Sequence, residues 1–225
     1  MAGGRSPSRR TCRACDHGPV LELQTPHGPA RAHLHEAADP AGALVLGHGA
    51  GGGVGAPDLV AATRAAQAAG FSVALVEQPY RVAGRRSPAP VRQLDAAWVA
   101  LVEQLRAGPL GDLPLVAGGR SSGARVACRT AADAGAAGVL CLAFPLHPPR
   151  RRTDGERLTR LPELDAVTVP TLVVQGENDP FGMPPDGPWR RVVAVPGDHS
   201  LRRGGSAVAE AVGAWLPTVL PTRQI

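Results

Sequence analysis

The spacing of apolar positions changes character near residue 42. Before it, two short pieces alternate apolar and polar residues, Val20 to Gln24 and Ala30 to Glu36. They flank Thr25-Pro26-His27-Gly28, a turn sequence, and together predict a β-hairpin. His33 and His35 fall on one face of the second piece, opposite Leu34. Period-two alternation makes that a solvated strand face, with a metal-binding H-x-H as the alternative. After residue 42, short buried runs alternate with helical periodicities. Ala43 to Leu46 reads as a strand, Asp58 to Ala69 as a helix closed by Gly70, and Ser72 to Val76 as the next strand. Val91, Leu94, Trp98, Leu101 and Leu105 share one helical face, with Gly108 as the stop. A strand at Leu113 to Ala117, a helix at Ser122 to Ala134 and a strand at Val139 to Phe144 follow. Further strands are predicted at Thr171 to Gln175 and Val192 to Val195, and Val208, Val212 and Trp215 mark a last helix.

This alternation predicts an α/β fold: a mostly parallel central sheet with helices on both faces, joined by right-handed crossovers. Ligand sites in such sheets lie beyond the carboxyl ends of the strands. Residues 146 to 169 interrupt the alternation and read as a minimal cap, or a loop with one short helix. Residues 1–18 are rich in Gly, Ser and Arg and read as a disordered tail. Residues 19–220 are left as one α/β domain, in keeping with a length of 225 residues.

Composition narrows the function classes. Aromatics are only 3% against 44% hydrophobic residues, so the core must be built from Val, Leu and Ala. The net charge is +5, and every one of the 24 basic residues is Arg. Such a balance could serve nucleic acid. The Arg residues are dispersed, however, apart from Arg85-Arg86 and Arg150 to Arg152, and stacking aromatics are scarce. No nucleic-acid partner is expected. No run approaches the ~20 apolar residues of a membrane span, and no apolar segment follows the N-terminal Arg residues as in a signal peptide. With 4 cysteines in a chain of this length, a disulfide framework is not indicated. Cys128 and Cys141 sit in apolar runs and read as small buried hydrophobes, which suits a reducing cytoplasm. Cys12 and Cys15 form a lone C-x-x-C near His17. It lacks a second ligand pair for zinc and precedes the first strand, where a redox motif would follow one. It reads as part of the tail, and no metal or cofactor is called for.

Four segments at predicted strand ends carry chemistry. Gly119-Arg120-Ser121-Ser122-Gly123 is G-x-S-x-G between a strand and a helix. A nucleophile on so sharp a turn needs small residues two before and two after it, which Gly119 and Gly123 supply. That register makes Ser121 the nucleophile and the Ser122 backbone N–H an oxyanion donor at a helix N-terminus. Gly47-His48-Gly49-Ala50-Gly51-Gly52-Gly53 follows an earlier strand and can offer a second donor, the Ala50 N–H. A phosphate-cradling P-loop would need a Lys, which the chain lacks. His48 reads as bonded to backbone rather than as a base. Gln175-Gly176-Glu177-Asn178-Asp179-Pro180 supplies a carboxylate, Asp179 first and Glu177 as the fallback. Pro196-Gly197-Asp198-His199-Ser200 supplies a base, His199, able to take the Ser121 proton and return it to a leaving group.

These segments resemble the α/β-hydrolase superfamily, near dienelactone-hydrolase-like proteins; the order Ser121, Asp179, His199 is the one this fold uses. More narrowly, Pro79-Tyr80, Gly84-Arg85-Arg86-Ser87-Pro88 and Pro145-Leu146-His147-Pro148-Pro149 resemble a family of small α/β-hydrolase-like proteins. That family includes a testis-expressed member and a subunit of the nonspecific-lethal histone acetyltransferase complex. The resemblance runs from about Gly42 to the last helix and implies Ser121, Asp179 and His199 as a triad. It implies no particular substrate, and some members act as interaction modules.

The leading expectation is therefore a cytoplasmic serine hydrolase acting on a small ester or thioester. Arg85, Arg86 and Arg150 to Arg152 fall in loops predicted on the catalytic side, where they can attract an anionic substrate group or serve only as solvated loop residues. His147 can line the pocket, though its place between prolines favours a structural role. The alternatives are a non-catalytic interaction protein of the same fold, and a perhydrolase or lyase using the same residues.

Overall fold

The apolar runs between residues 42 and 176 are buried almost throughout, as strands covered on both faces must be, whereas Val192 to Val195 is only partly buried. In the computed structural model, which describes residues 18–148 and 158–220, eight strands form one sheet. They are β1 (Val20–Thr25), β2 (Gly28–His35), β3 (Gly42–Gly47), β4 (Phe71–Glu77), β5 (Leu115–Arg120), β6 (Gly138–Leu142), β7 (Thr171–Gly176) and β8 (Arg190–Val195). The order across the sheet is β1-β2-β4-β3-β5-β6-β7-β8. The β1–β2 hairpin pairs antiparallel, β2 joins β4 antiparallel, and every pairing from β4 to β8 is parallel. This is the mostly parallel α/β sheet that the alternation predicts.

The helices are α1 (Pro57–Ala68), α2 (Pro79–Val82), α3 (Val91–Ala107), α4 (Ser122–Arg129), α5 (Leu161–Asp165) and α6 (Gly205–Val219). Two apolar layers form, one on each face. On one, Leu94, Trp98, Leu101 and Leu105 of α3 and Ala124 and Ala127 of α4 cover Val45, Ala74 and Ala117. On the other, Leu59, Ala62 and Ala66 of α1 and Val208, Val212 and Leu216 of α6 cover Leu44, Leu46, Leu140 and Leu172. Burying each of the Leu and Val side chains contributes about 1.5–3 kcal/mol, and the two layers together fix the helices against the sheet. Cys128 and Cys141 are buried with their sulfurs 3.4 Å apart, as free thiols.

Local differences from the pattern have local causes. β5 starts at Leu115 rather than Leu113, because Pro114 has no N–H to give the ladder. It also runs on to Arg120, so Ser121 alone separates strand from helix. α4 stops at Arg129, five residues short of the predicted Ala134. There the Thr130 hydroxyl donates to the Val126 carbonyl at 2.8 Å, a back-bond that loosens a helix end. The four-residue α2 is too short to leave a periodicity. α5 is the short helix expected within residues 146–169, and its Glu163 pairs with Arg125 and Arg129 of α4. His33 hydrogen-bonds Glu77 across β2 and β4 at 3.1 Å. Among the described residues, no helix is long and apolar enough to cross a membrane. The proposed tail with Cys12, Cys15 and His17, and the Arg150 to Arg152 run, lie outside the described residues.

Candidate active site

Ser121 turns the chain from β5 into α4 with φ 52° and ψ −107°, a conformation that L residues rarely adopt. The strain is held from both sides. The Ser121 N–H donates to the Leu142 carbonyl at the end of β6, at 2.9 Å. The neighbouring backbone packs so closely that a Cβ on either Gly119 or Gly123 would fall under 3.0 Å from the Gly47 carbonyl oxygen. Glycine at these two positions is a steric requirement of the turn.

His199 lies in the loop between β8 and α6, and reaches Ser121 from the far side. Its Nε2 is 2.9 Å from the Ser121 Oγ, and its Nδ1 is 2.8 Å from the Asp179 Oδ2. Asp179 follows β7, with a side chain only 1% exposed against 19% for His199. It is the Asp179 carboxylate that meets His199, while Glu177 is exposed beside it. The carboxylate is well supplied with donors. Gln175 Nε2 donates to Oδ2 at 2.8 Å, and the Phe181 N–H donates to Oδ1 at 2.9 Å. With a carboxylate accepting at Nδ1, the proton belongs on that nitrogen, which leaves Nε2 to accept from the Ser121 hydroxyl. Phe181 packs edge-on against the imidazole, with ring centroids 4.5 Å apart.

The glycine-rich loop after β3 crosses directly beside the nucleophile turn: a Cβ on Gly49 would sit 3.6 Å from the Ser121 Cβ. His48 shapes this loop from inside the protein. Its Nε2 accepts the Gln78 N–H at 3.2 Å, so its Nδ1 carries the proton and donates to the Gly49 carbonyl at 2.8 Å. Burial lowers the His48 pKa and favours this neutral form. The Tyr80 hydroxyl donates to the Ala50 carbonyl at 3.0 Å, so the Pro79-Tyr80 segment clamps the same loop. Ala50 and Ser122, the two proposed oxyanion donors, are thus both placed within the loop and turn that frame Ser121.

The other proposed residues are less central. Arg85 and Arg86 are exposed after α2, where the Arg85 N–H donates to the Tyr80 carbonyl at 2.8 Å. His147 is half-buried, with Nδ1 3.0 Å from the Leu158 carbonyl and its backbone N–H bonded to Phe181. Concavities of about 610, 430 and 70 Å³ are lined by residues other than Ser121, Asp179 and His199. Arg85 and Tyr80 border the smallest. Among the described residues, no group of three or more His, Cys, Asp or Glu side chains could hold a metal ion.

One contact escaped the sequence reading. Arg120, the variable residue of G-x-S-x-G, forms an ion pair through Nε with Asp58 of α1 at 2.9 Å, and Asp58 is fully buried. An acidic residue in the first turn of a helix is ordinarily explained by the helix dipole, so nothing local set Asp58 apart.

A parallel sheet with an antiparallel lead-in, a strained serine at a strand–helix turn, and a histidine bridging it to a buried carboxylate define the α/β-hydrolase class. A family model described as alpha/beta hydrolase domain matches residues 40–203, and the chain belongs to that family. No curated protein matches it. Among solved structures it is similar to an α/β serine hydrolase without a lid from Xanthomonas campestris, with 19% identity and a TM-score of 0.70 over 94% of this chain and 99% of that one. It is also similar to a dienelactone hydrolase from Anabaena variabilis, with 18% identity and a TM-score of 0.70 over 90% and 98%. An esterase from Thermogutta terrifontis, solved phosphorylated by paraoxon, matches with 15% identity and a TM-score of 0.67 over 91% and 95%. At these identities the likeness is one of fold.

Proposed function

We propose that the chain is a serine hydrolase that cleaves a small ester or thioester through an acyl-enzyme. The observation that carries the reading is the single imidazole of His199, hydrogen-bonded to the Ser121 Oγ on one side and the Asp179 carboxylate on the other. As the Ser121 Oγ attacks the acyl carbonyl, its proton passes to His199 Nε2, and buried Asp179 stabilises the imidazolium without itself taking a proton. The developing oxyanion is met by the Ser122 and Ala50 N–H groups, each worth about 10²–10³ in rate in comparable sites. Collapse of the adduct expels an alkoxide or thiolate, which takes the proton back from Nε2. Water then gives a proton to the same nitrogen while attacking the acyl-enzyme. The second collapse returns that proton to Ser121 and releases the acid.

Arg85 and Arg86 steer anionic substrates in this reading, and His147 contributes at the edge of the substrate site. The test is labelling of the purified protein with a fluorophosphonate, beside Ser121→Ala and His199→Ala. Labelling of wild type alone supports an activated serine. A folded wild type that resists the probe overturns the reading and leaves a binding role for the fold.

A further inference from the structure

The hydrolytic cycle makes no use of Asp58, yet this carboxylate is fully buried at the start of α1, where an unpartnered charge would be costly. Its Oδ1 accepts the Leu59 N–H at 3.0 Å, and its Oδ2 faces Arg120 Nε at 2.9 Å. Arg120 stands between Gly119 and Ser121, so its backbone belongs to the nucleophile turn. Its side chain leaves that turn for the histidine loop, where Nη2 donates to the backbone carbonyl of His199 at 3.0 Å. Nη1 lies beside the glycine-rich loop, close enough that a Cβ on Gly49 would be 2.7 Å away. One guanidinium therefore ties the nucleophile turn to the histidine loop, alongside the glycine-rich loop, and pairs with Asp58 of α1.

Asp198 and Ser200 bond chiefly to each other, with Asp198 Oδ1 accepting both the N–H and the hydroxyl of Ser200. The Asn178 N–H fastens Gly197 to the Asp179 side of the site at 2.9 Å. Arg120 makes the matching connection to the Ser121 side. A planar fork with several N–H donors suits this role better than an ammonium, because it can engage an anion and a carbonyl at once in fixed directions.

We propose that Arg120, locked in place by Asp58, is a positioning residue that sets the reach of the His199 imidazole to Ser121. The inference rests on the reading of Ser121, His199 and Asp179 as the reacting groups. It assigns a role to the variable residue of G-x-S-x-G and to an acid remote from the reaction.

The test compares wild type with Arg120→Lys and with the double variant Arg120→Met/Asp58→Leu. Removing both charges avoids stranding one of them in the interior. Three quantities are read: Tm, the rate of fluorophosphonate labelling across pH, and the low-field proton resonance of His199 Nδ1–H, assigned by its absence in His199→Ala. The double variant should keep a cooperative melt but label about 100-fold more slowly, the penalty expected of a catalytic group displaced by about 1 Å. Its low-field resonance should weaken or vanish. Arg120→Lys keeps an ion pair without the fork and should fall between the two, with Tm unchanged. Labelling within twofold of wild type and an intact resonance in the double variant would overturn the proposal. If the double variant does not fold, Arg120→Lys decides it, since wild-type labelling there has the same force. If wild type itself is not labelled, the hydrolase reading fails instead. The resonance then decides alone: its loss in the double variant supports positioning by Arg120, and its survival refutes it.

Discussion

Gln175 donates through Nε2 to the same Asp179 oxygen, Oδ2, that lies 2.8 Å from His199 Nδ1. The amide nitrogen also lies 3.0 Å from the Phe144 carbonyl and 2.9 Å from the Gly182 carbonyl. Gln175 is fully buried, so a neutral side chain at the end of β7 stabilises the carboxylate and stitches the surrounding turns together. Replacement by Leu removes the two amide hydrogens that these three acceptors share. A loss of about 1–3 kcal/mol follows from stranding buried polar groups, visible as a Tm lower by several degrees. Gln175→Glu should be worse than Leu at neutral pH, because two adjacent carboxylates cannot both stay ionised. Equal Tm and kcat for wild type and Gln175→Leu would remove Gln175 from this account.

The strained turn at Ser121 depends on the absence of two side chains. Gly119→Ala and Gly123→Ala each drive a methyl against the Gly47 backbone carbonyl, which cannot swing away as a flexible side chain would. Overpacking of this kind costs about 1–3 kcal/mol. Here the only relief is movement of the Gly47 strand end or of the turn itself, and either displaces Ser121. Urea melts should show the destabilisation, and fluorophosphonate labelling should fall at least as far as stability does. An Ala variant labelled at the wild-type rate would mean that the turn has slack the packing does not show.

Much of this arrangement was legible because its determinants are local. The period-two hairpin, the buried runs and the four strand-end motifs each depend on neighbours in the chain, and so does the demand for Gly beside Ser121. The extent of α4 was not, since Thr130 is an acceptable helix residue until its hydroxyl finds the Val126 carbonyl. The Arg120–Asp58 pair was hidden for a stronger reason. The two residues meet only once β3, α1 and β5 have packed, and neither position carries a pattern that forecasts burial with the other. The sequence already puts Asp179 ahead of Glu177 but does not show the reason for it: in the turn after β7 the Asp179 N–H donates to the Gly176 carbonyl at 3.0 Å and the Asp179 side chain lies inward against Gln175.

Arg85 and Arg86 are exposed, so any pull they exert on substrate is screened by salt. If they steer anionic esters, Arg85→Ala/Arg86→Ala should lower kcat/KM for an anionic ester by roughly fivefold, as two surface charges can. A neutral ester of the same acyl group should be unaffected. The difference should shrink as ionic strength rises. A ratio of anionic to neutral kcat/KM that is the same in wild type and variant would confine both residues to a loop role.

His48 gives the fold a calculable pH dependence. Burial lowers its pKa below the ordinary 6.5, with Arg81 acting in the same direction, while the Gly49 carbonyl bond and Glu77 oppose the shift. The unfolded chain therefore takes up a proton near pH 6.5 and native His48 only at lower pH. Protons favour the unfolded state throughout that interval. His48 contributes its full stability above pH 6.5, and the contribution declines as pH falls toward the native value, by at most about 1.4 kcal/mol per pH unit. The cause is physical: a protonated imidazole could no longer accept the Gln78 N–H, and would hold a charge inside the glycine-rich loop. Urea midpoints for wild type and His48→Gln at pH 7.5 and 5.5 isolate the effect from the other histidines. The variant should be less stable than wild type at pH 7.5, and the gap should narrow at pH 5.5. A constant gap would show that folding leaves the proton affinity of His48 unchanged, and a widening one that folding raises it; either result contradicts a neutral imidazole accepting the Gln78 N–H.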